Sequence, residues 1–184
     1  RPDGSGGVIV VWYEYRNGDG DIYAQRIDAD GNLAWGASGA AVCVFPAEQY
    51  GPAIIGDGAG GAIVAWTDYR MDGDIYAQRI DGGGIIQWDT AGVIVCNEFS
   101  NQFNPRLAPV SDGGAIAIWS DMRNGYDDVY VQRIDASGQR LWWNEGVSVC
   151  DDAGSGFSQP WSSTVPMREE SRRGMAPNSA LACS

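Results

Sequence analysis

The chain has 184 residues, of which 44% are hydrophobic and 20% are charged, so a globular protein with a sizeable core is expected. It contains 24 acidic residues and 12 arginines, and this excess of negative charge argues against nucleic acid and anionic membranes as partners. The absence of histidine excludes Ser–His–Asp and Cys–His catalysis and histidine-bound zinc. No apolar run approaches the roughly 18 residues that span a bilayer.

The predicted elements follow one order along the chain, beginning in the second strand of a repeating unit. That strand, "VIVVWYEYR" from Val8, is followed by a hairpin and a third strand, "DIYAQRID" from Asp21. A tight turn leads to a short fourth strand, and a proline-led first strand, "GPAIIGD" from Gly51, opens the next unit. The order then repeats with "AIVAWTDYR" and "AIAIWSDMR" as second strands. Runs such as 8–12 and 62–66 are apolar at consecutive positions, which predicts strands buried on both faces.

The spacing of aromatic residues and cysteines indicates a true internal repeat. Trp12, Trp66 and Trp119 are 54 and 53 residues apart. The same period recurs in tyrosine (Tyr23, Tyr76, Tyr130), in a second tryptophan (Trp35, Trp88, Trp142) and in cysteine (Cys43, Cys96, Cys150). The change of length falls in the hairpin between the second and third strands, which is "RNGDGD", "RMDGD" or "RNGYDD".

Four short antiparallel strands in each repeat predict an all-β fold made of three four-stranded β-propeller blades. The units lie near residues 1–51, 52–104 and 105–158, within a propeller region of 1–166. An open β-solenoid and a β-sandwich are the competing interpretations. After Pro166 the pattern stops, and residues 167–184 form a divergent, basic tail for which no function is predicted.

Three blades in a permuted register fall short of the roughly four to eight that close a propeller. The segment Gln159–Val165 is an extra first strand with no blade after it. We hypothesise that it pairs with Val8–Trp12 of another copy, so that a homodimer forms a six-bladed ring. The alternative is a three-blade excerpt of a longer array with exposed edges. The start at Arg1, without a methionine or a signal peptide, favours a processed or excerpted piece.

The motifs G-G-x-I-V-A-W-x-D-x-R, D-I-Y-A-Q-R-I-D, L-x-W and V-x-V-C resemble the blade repeats of secreted or surface-attached bacterial multi-repeat proteins. The resemblance covers residues 4–166 and implies a propeller fold and an extracellular or cell-surface location. The turn "DADGNLAW", with Asp30 before Trp35, is similar to the Asp-box hairpin of sialidase-like propellers. The other two units have Gly83 and Ser137 at the position of Asp30 and depart from that pattern.

A tryptophan, an acid and an arginine recur in every unit and form the first candidate site. The set is Trp12, Glu14, Arg16, Trp66, Asp68, Arg70, Trp119, Asp121 and Arg123. The resemblance implies that such groups can bind sugars, as in propeller lectins, or a carboxylate, as in sialidase-like propellers. Because the set repeats in every unit, an ion pair that links adjacent strands is the favoured interpretation. A repeated ligand site comes second, and a catalytic site is the least favoured.

The loops that do not repeat form the second candidate site. The loops entering the first strands, "VFPAEQYG", "NEFSNQFN" and "DDAGSGFSQ", should share a face with the variable hairpins. Variation on one face is typical of a binding surface, although drift without function also concentrates in loops. The candidate ligand-binding residues are the aromatic ones: Phe45, Tyr50, Phe99, Phe103, Tyr126 and Phe157.

The hairpin aspartates and the cysteines are the candidates for metal and redox chemistry. The hairpin pairs Asp19/Asp21, Asp72/Asp74 and Asp127/Asp128 could bind calcium, but turn formation is favoured. Equivalent cysteines on neighbouring blades should lie beyond the roughly 7 Å limit of a disulfide, so small buried thiols are expected, and the pairing of Cys183 is left open. No cofactor, metal site or catalytic residue is predicted.

The sequence therefore predicts a non-enzymatic propeller scaffold or binding module of an exported bacterial protein, with a glycan or protein ligand. A multivalent lectin with one site per blade is the first alternative. A sialidase-like glycoside hydrolase is the second. It would need two carboxylates about 5–10 Å apart, and no such pair is marked in the sequence.

Overall fold

The computed structural model describes residues 1–143 and 145–150, with Cys150 described only in its backbone. All regular structure in these residues is β, in three antiparallel sheets. Within the same ranges no helix is long and apolar enough to cross a membrane. The predicted extra strand 159–165, the tail 167–184 and the candidates Phe157 and Cys183 lie outside the described residues.

Two of the sheets have four strands each, arranged in chain order as the repeat predicts. Sheet 2 contains β4 (Gln49–Gly56), β5 (Ala62–Asp68), β6 (Asp74–Ile80) and β7 (Val93–Cys96). Sheet 3 contains β8 (Gln102–Pro109), β9 (Ala115–Asp121), β10 (Asp128–Ile134) and β11 (Val147–Cys150). The prediction of short antiparallel four-stranded sheets is confirmed here.

Sheet 1 has three strands in the described residues, β1 (Val8–Glu14), β2 (Asp21–Ile27) and β3 (Ala40–Cys43). Among the described residues, the outer side of β1 pairs only with the start of the chain. Pro2 forms a bridge with Val8, and the amide of Ile9 donates a hydrogen bond of 2.8 Å to the carbonyl oxygen of Arg1. Within the described residues, sheet 1 therefore begins at the second strand of the repeat, as predicted.

The second and third strands of each repeat are held in register by an aromatic pair on one face. In sheet 2, Trp66 lies opposite Tyr76, and their ring centroids are 6.4 Å apart. Trp12 with Tyr23 and Trp119 with Tyr130 form the same pair in sheets 1 and 3. Such cross-strand pairs fix the register, because a slip of one residue would turn them to the opposite face.

The sheets stack face to face, and each junction contains one apolar core. We call the face that a sheet turns toward the next sheet its forward face, and the opposite one its backward face. At the first junction, Ile9, Ile22 and Ala24 on the forward face of sheet 1 share a core with Val64 and Trp66 on the backward face of sheet 2. The second junction repeats this arrangement between sheets 2 and 3. Sheet 2 thus packs through both of its faces, one at each junction.

Strand β5 is buried along its whole length, which confirms the prediction for 62–66. The prediction of two buried faces is wrong for residues 8–12. Val10 is 39% exposed and Trp12 is half-buried, although Trp66, at the same position of the repeat, is completely buried. The physical reason is that no described residue forms a sheet against the backward face of sheet 1.

A tryptophan lock joins consecutive sheets at the opposite end from the variable loops. Trp35 of sheet 1 donates a hydrogen bond of 3.1 Å from Nε1 to the carbonyl oxygen of Gly82, in the turn after β6. Its backbone amide bonds to Oε1 of Gln25, which also donates from Nε2 to a carbonyl oxygen in the same segment. Trp88 and Ala136 form the equivalent 3.1 Å bond between sheets 2 and 3.

Candidate functional site

The variable loops meet at one end of the sheets, which we call the loop face. It comprises the inter-sheet loops 44–48 and 97–101 and the hairpins 15–20, 69–73 and 122–127. The amide of Gln49 donates a hydrogen bond of 2.6 Å to the carbonyl oxygen of Gly20, and Gln102 bonds in the same way to Gly73. The prediction that both kinds of loop share one face is confirmed by these bonds.

A buried glutamine braces each inter-sheet loop from inside. Gln49 is fully buried, and its Nε2 donates to the carbonyl oxygens of Phe45 and Ala47 at 3.1 and 2.8 Å. Gln102 makes the equivalent pair of bonds in the second loop. Bracing of this kind lowers the entropy cost of ligand binding, because the loop is ordered before the ligand arrives.

Three tyrosines and a glutamate from different elements form an exposed cluster on the loop face, the tyrosine cluster. Tyr13 at the end of β1 lies against Tyr50 of β4, with 4.7 Å between ring centroids. Tyr15 meets the Tyr13 ring edge to face at 6.0 Å, and its hydroxyl donates a hydrogen bond of 2.6 Å to Oε1 of Glu48. All four side chains are exposed, so the cluster presents aromatic faces beside a carboxylate.

Two tyrosines of the cluster, Tyr13 and Tyr15, have raised pKa values and remain protonated over the physiological range. The hydrogen bond to Glu48 is the main cause that raises the pKa of Tyr15 to about 12, and the negative charge of Glu48 adds to it. The pKa of Tyr13 is raised mainly by the neighbouring Tyr50. The cluster therefore offers neutral phenol groups, which both donate and accept hydrogen bonds, together with one carboxylate acceptor.

Of the predicted aromatic candidates that the structure describes, only Tyr50 lies in the tyrosine cluster. Phe45 is at the edge of the loop face, where the Arg70 guanidinium lies 4.1 Å from the centre of its ring. Phe99 is 84% exposed, Tyr126 is exposed and Phe103 is half-buried. Aromatic pairs between these candidates are absent within the described residues.

The repeated set of tryptophan, acid and arginine is enclosed in sheets 2 and 3. Asp68 is completely buried and accepts hydrogen bonds from Trp66 Nε1 at 3.0 Å and from Arg70 Nε and Nη2 at 2.8 and 2.6 Å. The guanidinium also stacks 4.0 Å from the ring centre of Tyr76 on the neighbouring strand and bonds to the carbonyl oxygen of Ala91. The carboxylate is thus paired internally, and Trp66 presents no surface to a ligand.

The same arrangement in sheet 3 joins Trp119, Asp121, Arg123 and Tyr130. The expected ion pair between adjacent strands needs correction. The acid and the arginine belong to the same strand end, two residues apart, and the link to the adjacent strand is the stacking of arginine on tyrosine. The reason is geometric, because residues i and i+2 of a strand point to the same side.

In sheet 1 the set is more open. Arg16 pairs with Glu14, stacks 3.8 Å from the ring centre of Tyr23 and bonds to the carbonyl oxygen of Ser38. Side-chain exposure is 33% for Arg16 and 31% for Glu14. Trp12 is half-buried, and no hydrogen bond joins its Nε1 to a described residue.

Three further arginines, at equivalent positions of β2, β6 and β10, form ion pairs at the end of the sheets opposite the loop face. Arg26 Nε lies 2.8 Å from Asp3, and Arg79 Nη2 lies 2.9 Å from Asp57. Arg133 and Asp112 form the third pair. Each aspartate lies in the glycine turn before the second strand, where its other oxygen accepts backbone amides. These pairs are structural, and the repeat pattern does not mark their aspartate partners.

The hairpin carboxylates serve the turns themselves. Asn17 Nδ2 donates to Asp21 at 2.8 Å, and Asn124 Nδ2 donates to Asp128 at 2.9 Å. The shorter hairpin of sheet 2 lacks this asparagine, and burial, followed by the charges of nearby carboxylates, raises the pKa of Asp74 to about 6. In the part of the chain that the structure describes, no three acidic or cysteine side chains lie close enough to hold a metal ion together.

Cys43 and Cys96 are buried free thiols, as expected from their positions in successive repeats. Burial raises the pKa of each to about 12. Neither thiol forms an appreciable thiolate at neutral pH, so neither is a nucleophile in the folded protein.

In comparisons with known proteins, no protein-family model and no curated protein matches the chain. The candidate site therefore rests on its residues alone. The sequence did not mark three residues of the cluster as site candidates. Tyr13 and Tyr15 lie in a strand motif, and Glu48 is a single acid in a loop. One signal could have found Tyr13, which replaces the Thr67 and Ser120 of the other repeats.

Proposed function

We propose that the three sheets are consecutive blades of a β-propeller, and that the chain is a non-enzymatic binding module with its ligand site on the loop face. The chain-ordered antiparallel sheets, the face-to-face stacking and the repeated tryptophan lock support the propeller. Two chains would complete a ring of six blades. The resemblance to repeats of exported bacterial proteins supports an extracellular or cell-surface location.

The observation that carries the binding function is the tyrosine cluster. Tyr13, Tyr15 and Tyr50 come from two sheets, and all three are exposed. Exposed aromatic groups beside polar ones are typical of binding surfaces, because they supply large contact areas at a low entropy cost. The braced loop beneath Tyr50 holds this surface in one shape.

The chemistry of the cluster fits a neutral glycan. Aromatic rings pack against the C–H faces of a sugar ring, while phenol hydroxyls and the Glu48 carboxylate bond to sugar hydroxyls. Glu48 and the net charge of −12 disfavour acidic sugars through repulsion. A neutral oligosaccharide is therefore the proposed ligand class, and a protein ligand is the alternative outcome.

Binding to an array of neutral and acidic glycans, followed by titration calorimetry of the best neutral hit, tests the proposal. We expect about one site per chain, and Tyr50→Ala should weaken binding by about tenfold or more, as loss of a central aromatic contact does. Tyr126→Ala is the matched control, because Tyr126 is exposed on the same face outside the cluster. Unchanged affinity in Tyr50→Ala, or binding confined to acidic glycans or proteins, would reject the proposed site.

The multivalent lectin makes a different prediction, which the same titration measures. One site per blade built on the repeated set would give about three sites per chain. The enclosure of Trp66, Asp68 and their counterparts in sheet 3 favours the single site. Turnover of a chromogenic glycoside would favour the hydrolase.

A further inference from the structure

The tryptophan lock occurs twice in the described part of the chain and has the same geometry both times. Trp35 and Trp88 each donate from Nε1 to a carbonyl oxygen of the next sheet at 3.1 Å. Each indole ring also covers a turn glycine of that sheet, since a β-carbon on Gly84 would lie 2.8 Å from the Trp35 ring and one on Gly138 would lie 2.9 Å from the Trp88 ring. The lock thus has a donor half, the tryptophan, and a receiving half, the turn.

Sheet 3 presents a donor half that has no partner in the described residues. Trp142 holds the position of Trp88 in the repeat, and Gln132 Oε1 accepts its backbone amide at 3.0 Å, as in the other two sheets. Its ring is 37% exposed and lines an open, mainly apolar pocket with Val131, Leu141 and Val147. No hydrogen bond joins its Nε1 to residues 1–143 or 145–150.

Sheet 1 presents the receiving half, again without a partner in the described part of the chain. In the turn after β2, Ala29 holds the position of Gly82 and Ala136. Gly31 has a φ of +86°, against +84° for Gly84 and +85° for Gly138, so the turn has the same shape. No atom lies within 4 Å of the β-carbon position of Gly31, where the other two turns hold an indole ring.

We propose that Trp142 of one copy of this chain docks on the turn of sheet 1 in a second copy, covering Gly31 and donating from Nε1 to the carbonyl oxygen of Ala29. This inference rests on the proposed stacking of blades, and it names the surface through which copies join. The occupant is a second copy because the contact continues, without change of chemistry, a junction that the chain already forms twice. The contact is head to tail, since it joins two different surfaces.

The faces around the lock support this partner. Ile116 and Ile118 on the forward face of sheet 3 are half-buried, while the equivalent Ile63 and Ala65 of sheet 2 are completely buried at the next junction. The backward face of sheet 1 likewise presents the 39% exposed Val10. Bringing these two faces together would bury apolar surface on both sides, as the internal junctions do.

Sedimentation velocity of the 184-residue chain, over a range of concentrations, measures this association. Trp142→Ala should weaken association by about 30-fold or more, because a buried tryptophan at an interface centre contributes strongly. Gly31→Asn should do the same, since asparagine tolerates a positive φ and its side chain would occupy the place of the indole. Gly125→Asn is the matched control, with a φ of +84° and no atom within 4 Å of its β-carbon position, and it should associate like the wild type.

A mixture of the two variants gives the decisive result. The Gly31→Asn copy keeps its tryptophan and the Trp142→Ala copy keeps its turn, so one intact contact should form and the mixture should associate where neither variant does alone. Circular dichroism and thermal unfolding confirm that both variants are folded. A monomeric wild type, or a mixture that fails to associate, would overturn the contact.

The outcome is separable from that of the proposed function. Tyr50→Ala should leave association unchanged, and Trp142→Ala should leave glycan binding unchanged, because the two surfaces are at different elements. An open series of oligomers in place of a closed dimer would reject the six-bladed ring while supporting the contact itself. Glycan binding by a wild type that stays monomeric would support the binding module and reject the contact.

Discussion

Gly84 lies directly beneath the indole ring of Trp35, so that a β-carbon on this glycine would be 2.8 Å from the ring. The residue also has a φ of +84°, which favours glycine over residues with a side chain. The glycine is therefore required twice, once by the backbone and once by the neighbouring sheet. Stacking of the sheets depends on this close approach, because the ring must pass the turn to reach the carbonyl oxygen of Gly82.

We expect Gly84→Ala to destabilise the fold by about 2–4 kcal/mol, since it combines a positive φ with a steric clash in a packed junction. Gly125→Ala is the control that isolates the backbone contribution. Its φ is also +84°, but the space around its β-carbon position is open, so a loss of about 1–2 kcal/mol is expected. Urea unfolding, followed by tryptophan fluorescence, measures the free energy of unfolding of both variants. Equal losses would show that the contact with Trp35 contributes nothing to stability.

The enclosed ion pair of sheet 2 and the open one of sheet 1 should differ in their contribution to stability. Arg70→Met leaves the completely buried Asp68 without its charged partner, and we expect a loss of about 3 kcal/mol. Arg16→Met is the matched change at the same position of the repeat, where both charges are about one-third exposed, and should cost less than about 1 kcal/mol. Comparable losses in urea unfolding would contradict this assignment.

Much of the fold could be predicted from the sequence because the repeat is long and its aromatic residues are regularly spaced. Trp66 and Tyr76 mark the paired strands of a sheet, and their recurrence gives the order of strands in all three sheets. What an apolar strand packs against could not be predicted. The run 8–12 has the composition of a buried strand, yet Val10 is exposed, since burial depends on a neighbouring sheet and not on the strand itself.

The candidate site was predictable only in its location. Sequence variation indicated the end of the sheets where the variable loops lie, but the contact of Tyr13 with Tyr50 joins two sheets, and repeat spacing carries no information about such pairs. A structural role could be predicted for the repeated arginines, because identical residues in every unit favour a structural function. The partners of these arginines could not be predicted. Arg79 bonds to Asp57, which lies in a turn whose shape the sequence does not specify.

The inter-sheet loops contain two residues whose backbone conformation favours glycine. Ala47 has a φ of +109° and Ser100, at the equivalent position, has a φ of +88°. We expect Ala47→Gly to stabilise the fold by about 0.5–1 kcal/mol, because it relieves the positive φ at the cost of a more flexible unfolded chain. Ala53→Gly in β4 is the control and should destabilise by a similar amount. A loss of stability in Ala47→Gly would show that the loop holds no strain at this residue.

Asp74 should make the stability of the protein depend on pH. Burial, with the charges of Asp68 and Asp72, raises its pKa to about 6 in the folded state, above the usual value near 4. The folded state therefore binds this proton more tightly than the unfolded state. The contribution of Asp74 to the free energy of unfolding is fully present below about pH 4 and is lost as the pH rises through 6.

Asp74→Asn keeps the shape of the protonated carboxyl group and cannot ionise. Because the group is partly screened by solvent, we expect a gain of about 1 kcal/mol at pH 7, falling to near zero at pH 4. Asp128→Asn is the control, since Asp128 already accepts a hydrogen bond from Asn124 at 2.9 Å and should show no gain. Urea unfolding at pH 4, 5, 6 and 7 measures both variants. A gain for Asp74→Asn that is the same at pH 4 and pH 7 would rule out ionisation of this carboxyl group as its cause.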